Sequence, residues 1–158
     1  MPMVAMEQEV VRKLIERQYH ISFAESCTGG MATATLVSVA DASKVLDVSF
    51  VTYANEAKIQ YLKVEEEAIA TYGVVSEIVA GQMASGVARE SGSEVGVGIT
   101  GIAGPGGGTE HKPVGLVCFG FCVNGRISTY TQYYGDIGRN QVRCASVEFV
   151  YKTLLELL

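Results

Sequence analysis

Apolar side chains recur at helical spacing near the start of the chain. Val10, Val11, Leu14 and Ile15 are interleaved with Glu9, Arg12, Lys13 and Glu16, which predicts an amphipathic helix over about 4–18. Residues 19–24 alternate weakly over a short span, as a strand does. A turn is expected over 26–30, then a helix of small apolar residues over 31–39. Val48, Phe50 and Val51 predict a buried strand over 47–52, ending at Tyr53. Asn55 is placed as the cap of a short helix carrying Ala57, Lys58, Ile59 and Leu62. A further short helix over 65–71 is broken by Gly73, and Ser76 caps a helix reaching about residue 90. That helix has a stripe of Val79, Met83 and Val87 with Ala80, Ala84 and Ala88 beside it. Strands are predicted over 94–100, 114–123 and 127–133, the last two joined by the hairpin signal Asn124-Gly125. The final helix, over 140–158, has the clearest stripe: Val147, Val150, Tyr151, Leu154, Leu155 and Leu158.

Helices that alternate with strands, one strand pair being a hairpin, predict an α/β domain with a mixed sheet covered by helices on both faces. No internal repeat or linker interrupts the chain, so residues 1–158 read as one domain. Hydrophobic residues make up 48% of it, enough for a packed core. The net charge of −5, with both signs interspersed, argues against a nucleic-acid partner. It leaves room for a small anionic ligand held by local arginines and backbone N–H groups. No apolar run approaches the ~18 residues of a membrane span. The polar, acidic start at Glu7 and Glu9 does not resemble a secretory signal, and a cytoplasmic setting is expected. Cys27, Cys118, Cys122 and Cys144 show no C-x-x-C spacing, so they read as reduced thiols, and neither a metal site nor a cofactor is expected.

Three stretches carry candidate chemistry. In the first, Ala24-Glu25-Ser26-Cys27-Thr28-Gly29-Gly30, Ser26 stands between a strand and a helix. Such a serine is commonly a turn or cap residue. It also exposes a hydroxyl beside helix N-terminal N–H groups, and those of Thr28, Gly29 and Gly30 are the expected oxyanion donors. Cys27 is a rival nucleophile without a histidine to activate it. In the second stretch, Tyr53 and Lys58 follow a strand. A lysine whose pKa is lowered by burial can take a serine proton, with the tyrosine hydroxyl relaying a proton or orienting the amine. A solvated surface lysine and a half-buried tyrosine are the plain alternative.

The third stretch runs from Gly96 to Gly108. It formally contains G-x-G-x-x-G, but Pro105 and three further glycines stand where a dinucleotide-binding helix should open. Either a long turn or close backbone approach to a ligand around Gly101 and Gly104 explains it. His111 closes this loop as an exposed residue or a possible base. Arg139 and Arg143, one helical turn apart, either clamp a phosphate or carboxylate or form a solvated face.

Ala24 to Gly30, Tyr53-x-Asn55-x-x-Lys58, Gly73-Val74-Val75-Ser76, Thr100-Gly101-Ile102-Ala103-Gly104-Pro105 and Lys112-Pro113-Val114-Gly115 occur in the order seen in the CinA C-terminal domain family. The resemblance covers nearly the whole chain. It implies a three-layer α/β/α sandwich and a metal-independent serine amidohydrolase acting on nicotinamide mononucleotide. Ser26 would be the nucleophile, Tyr53 and Lys58 its tyrosine and base lysine, and Thr100 the threonine that closes the site. Either Arg139 or Arg143 would match the family arginine. Members commonly form dimers, so a homodimer is expected, and the nucleotide-hydrolysing domain of longer relatives is expected to be absent. Residues 40–48 depart from the family turn, where they would border the substrate. That departure motivates the rival reading, a non-catalytic nucleotide-sensing or partner-binding module that keeps the pocket.

Overall fold

The structure is a computed structural model that describes residues 3–158; the first two residues of the expected single domain lie outside it. Twelve elements follow in order: α1 (Met3–Arg17), β1 (Ile21–Glu25), α2 (Met31–Val37), a 3-10 turn (Ala42–Lys44), β2 (Phe50–Val51), α3 (Asn55–Leu62), α4 (Glu66–Tyr72), α5 (Glu77–Ser91), β3 (Val95–Gly101), β4 (Leu116–Val123), β5 (Arg126–Tyr133) and α6 (Arg139–Leu157). The sheet order is β2-β1-β3-β4-β5. β1 pairs in parallel with β2 and β3, while β4 and β5 complete the sheet antiparallel. Helices α1, α2 and α6 cover one face and α5, backed by α3 and α4, covers the other. The result is the expected α/β/α sandwich with a mixed sheet.

Strand alternation sorts side chains by size between the two faces. Ile21, Phe23, Val95, Val97, Ile99, Val117, Phe119 and Phe121 point to the α1/α6 side and form the larger core with Val10, Leu14, Val150, Tyr151 and Leu154. The intervening positions on the α5 side are small: Ala24, Gly96, Gly98 and Gly120. Helix α5 answers with Ala80, Gly81 and Ala84. A Cβ on Gly98 would stand 2.8 Å from the Cβ of Met83 and overlap the Ala80 carbonyl. Helix and sheet therefore meet nearly backbone to backbone. Gly96 and Gly98 serve this packing, consistent with setting aside the dinucleotide-binding reading of their spacing.

The hairpin forms at Asn124-Gly125, where φ is 49° and 81°, the left-handed pair such a turn requires. Ser76 caps α5 as expected, its hydroxyl accepting from the Val79 N–H at 3.3 Å. Two local expectations fail. β2 shrinks to two residues, because it is an edge strand paired only with β1; Val51 is 53% exposed rather than buried. Ala54, not Asn55, occupies the cap position of α3, and no side chain bonds its N-terminus. Among the described residues no helix is long and apolar enough to cross a membrane.

Candidate active site

β1, β2 and β3 run parallel, so their carboxyl ends converge on one edge of the sheet. The chain leaves β1 toward β2 on one side and meets β3 on the other. A crevice is expected at such a switch in an open α/β sheet. Ser26 follows β1, Thr52 and Tyr53 follow β2, and Thr100 lies at the end of β3. A pocket of about 270 Å³ opens there.

Ser26 extends the strand by one bond, its N–H donating to the Ile99 carbonyl at 3.1 Å. The chain then turns, and the Gly29 N–H returns to the Ser26 carbonyl at 3.0 Å. Glu25 is fully buried beneath this turn. Its carboxylate accepts the N–H groups of Gly30 (3.1 Å), Ala32 (2.9 Å) and Thr33 (2.9 Å) and the Thr33 hydroxyl (2.6 Å). An internal anion thus occupies the positive end of α2. Arg143 secures the other side of the turn, donating to the carbonyls of Cys27 (3.0 Å) and Thr28 (3.1 Å).

Lys58 enters from α3 with its side chain almost wholly buried. Its Nζ donates to the Ser26 Oγ at 3.1 Å, the Thr52 carbonyl at 2.7 Å and the Tyr53 carbonyl at 3.2 Å. No carboxylate balances the ammonium; all three partners are neutral oxygens. Desolvation disfavours the charged form and lowers the lysine pKa from 10.5 to about 8. Near neutral pH about a tenth of the amine is free base, against a negligible share for an exposed lysine.

The rest of the lining is part apolar, from Val74, Val75, Ile102 and Ala103, and part polar, from Tyr53, Asn55 and Arg139, with Gly101, Gly104, Gly106 and Gly107 contributing backbone. The Thr100 hydroxyl donates to the Val74 carbonyl at 3.0 Å. Arg139 donates to the Gly104 carbonyl (2.7 Å) and the Tyr53 hydroxyl (3.0 Å), again neutral acceptors.

The structure therefore brings Ser26, Tyr53, Lys58, Thr100, Gly101, Gly104 and Arg139 to one pocket. Three expectations need correction. The N–H groups of Gly29 and Gly30 are already committed, to Ser26 and Glu25. Among the described residues, no backbone or side-chain oxygen takes the N–H of Cys27 or Thr28; Cys27 lines the pocket, whereas Thr28 is wholly buried outside its lining. Tyr53 reaches Lys58 through its carbonyl, whereas its hydroxyl lies on Arg139, so it does not relay a proton in this arrangement. Arg143 is spent on the turn and does not line the pocket.

Other candidates fall outside. His111 is exposed and away from the lining. Asp41, Ala42, Ser43 and Leu46 border a different cavity with Val37 and Val39, not the one at Ser26. Cys27 reaches the pocket, but burial pushes its thiol pKa up to about 11, which disfavours the thiolate. Glu25 went unrecognised from sequence. Its signal is an acidic residue directly before a turn that opens a helix lacking its own side-chain cap.

The chain is similar to several known proteins in sequence and fold. A family model described as the CinA C-terminal domain matches residues 3–158. A CinA-like protein of Kosmotoga olearia is 44% identical over 157 residues, covering 98% of this chain and 38% of that protein. This chain spans well under half the length of the curated relatives it matches. The competence/damage inducible protein CihA of Agrobacterium tumefaciens has a crystal structure that superposes with a TM-score of 0.95 at 40% identity, covering 98% of this chain and 94% of that one. The competence damage-inducible protein A of Klebsiella pneumoniae superposes with a TM-score of 0.94 at 32% identity, covering 99% of this chain and 96% of its own.

Proposed function

The chain belongs to the CinA C-terminal domain family, and from that premise we propose that it is a serine amidohydrolase converting the carboxamide of nicotinamide mononucleotide to the carboxylate with release of ammonia. The observation that carries this reading is the buried Lys58 Nζ at 3.1 Å from the Ser26 Oγ, in a pocket wall. A hydroxyl needs a base to become a nucleophile, and a desolvated amine with a pKa of about 8 is suited to that task.

Neutral Lys58 takes the Ser26 proton as Oγ bonds to the carboxamide carbon. The carbonyl oxygen becomes an oxyanion, for which the N–H of Cys27, a pocket-lining residue, is the assigned donor. The ammonium of Lys58 then gives its proton to the departing nitrogen. The C–N bond breaks, ammonia leaves and an ester to Ser26 remains. A water deprotonated by Lys58 attacks the ester carbon, and the returned proton frees Ser26 and nicotinate mononucleotide. At the other end of the substrate, Arg139 has only neutral partners and can exchange them for a phosphate. The exposed backbone of Gly106 and Gly107 offers no side chain to obstruct it.

The expected result is ammonia release from nicotinamide mononucleotide by the unmodified protein and none above background by Ser26→Ala. Calorimetry on Ser26→Ala should still show binding. Tight binding by the unmodified protein with no ammonia would instead favour the nucleotide-sensing module. The observation that motivated that rival, the altered turn at 40–48, sits at a separate cavity. We also carry a homodimer as the expected assembly, to be read by sedimentation.

A further inference from the structure

The linker between α4 and α5 has an unusual property. Four successive carbonyls, from Tyr72 at the end of α4 to Val75 in the linker, are each taken by a side chain. Lys112 Nζ donates to Tyr72 and, at 2.8 Å, to Val75. Ser76 Oγ donates to Gly73 at 2.8 Å, and Thr100 Oγ1 to Val74 at 3.0 Å. A short segment with all its acceptors met by side chains is shaped by those donors rather than by secondary structure. Two of its residues, Val74 and Val75, form the apolar wall of the pocket.

Lys112 comes from the other side of that pocket. It closes the glycine-rich loop, where its N–H bonds to Thr109 Oγ1 at 3.1 Å and its carbonyl accepts from Thr109 N at 2.8 Å. The loop's neck is fixed by the Ile102 N–H to Leu116 and the Gly115 N–H to Ile102, both 2.8 Å. Between neck and turn Gly106, Gly107 and Gly108 are exposed. The ammonium can sit against the linker because Gly73, at φ 82°, has no side chain; a Cβ there would overlap Nζ. No carboxylate pairs with Lys112, so its partners are the two carbonyls alone.

We propose that Lys112 is a positioning residue: its ammonium, seated between the carbonyls of Tyr72 and Val75, staples the far end of the glycine-rich loop to the linker, and so fixes the gap between Val74 and Val75 on one wall and Ile102 and Ala103 on the next. These apolar side chains would pack on the flat aromatic ring of the substrate while its amide reaches Ser26. This role deepens the amidase reading and rests on it for the kinetic part. Lys112 does not touch the reacting atoms, and its loss should loosen substrate binding more than chemistry.

The test compares Lys112→Met and Lys112→Arg with the unmodified protein. In Lys112→Met the KM for nicotinamide mononucleotide should rise about tenfold with kcat within about threefold. Amide exchange at Gly73 and Thr109 should quicken about tenfold, with β3 and β4 unchanged. Lys112→Arg keeps charge and donors and should fall between the two, and it remains available if the methionine variant does not fold. Unchanged exchange in Lys112→Met would overturn the staple. Faster exchange with unaltered KM would overturn its role in the pocket, and equal effects of Met and Arg would assign the loss to packing of the stem. If the unmodified protein released no ammonia, the amidase reading would fail while exchange still decided the staple.

Discussion

Two glycine-bearing loops meet at the pocket and are built in opposite ways. The turn after β1 is tied through donors and acceptors alike: Glu25 holds the N–H groups at its end, and Arg143 holds the carbonyls of Cys27 and Thr28. The loop after β3 is exposed from Pro105 to Glu110, and a Cβ added at Gly106 would meet nothing within 4 Å. The contrast separates two tasks. Atoms that react need fixed positions, because small displacements cost rate steeply. Atoms that enclose a substrate need a backbone that can approach it and yield. In this pocket glycine serves the second task in one loop and tight turning, at Gly29 (φ 58°) and Gly30 (φ 106°), in the other.

The sharpest break in the contrast is at the base. Lys58→Met should lower kcat about a thousandfold, the scale of a lost general base, while folding is retained; single-turnover ammonia release reads it. Next is the frame. Glu25→Ala leaves a buried N–H at Ala32, two part-buried ones at Gly30 and Thr33, and the Thr33 hydroxyl without their acceptor. It should cost about 3 kcal/mol and lower Tm by roughly 6–12 °C in a thermal melt. Arg139→Ala acts at the open side and should raise KM about thirtyfold, close to 2 kcal/mol, with a smaller change in kcat.

A pH series probes the same base without mutation. The active form is the neutral amine, so kcat/KM should climb about tenfold per unit below pH 8 and level off above it. Stability follows the same sign. Burial lowers the folded-state pKa from 10.5 to about 8, so in that window the unfolded chain holds the proton that the folded chain has lost. Stability contributed by this group therefore rises from pH 8 toward 10.5, and Lys58→Met should remove that slope. The smallest effect is expected at Gly106→Ala, within about 0.5 kcal/mol in stability and about twofold in KM. A large loss there would mean that the open loop is as constrained as the turn.

Much of this was legible because it is periodic or local. The stripe of Val79, Met83 and Val87 in α5 and that of Val147, Val150, Tyr151 and Leu154 in α6 identified the covering helices, and Asn124-Gly125 identified the hairpin. Ser26 and Lys58 stood out by residue type and order. What escaped depends on partners distant in sequence. Arg143 reaches back to Cys27 and Thr28 and nothing near it in the chain says so. Glu25 removes the Gly30 N–H from the oxyanion set by a contact visible only after the turn closes. The Tyr53 hydroxyl turns to Arg139 because α6 brings a guanidinium within reach. β2 was overestimated because apolar β-branched residues resemble a central strand even at a sheet edge.

The packing of α5 on Gly96, Gly98 and Gly120 has a consequence for any mutational scan. Helix and strands touch there without intervening side chains. The linker bearing Val74 and Val75 leads into that helix, and Thr100 ends one of those strands. A single methyl at Gly98 would push the two apart and shift opposite sides of the pocket together. In an activity screen such a variant would score as a lesion of the active centre, although the altered residue never meets the ligand. Sorting hits by folding state as well as turnover is what tells the two kinds apart.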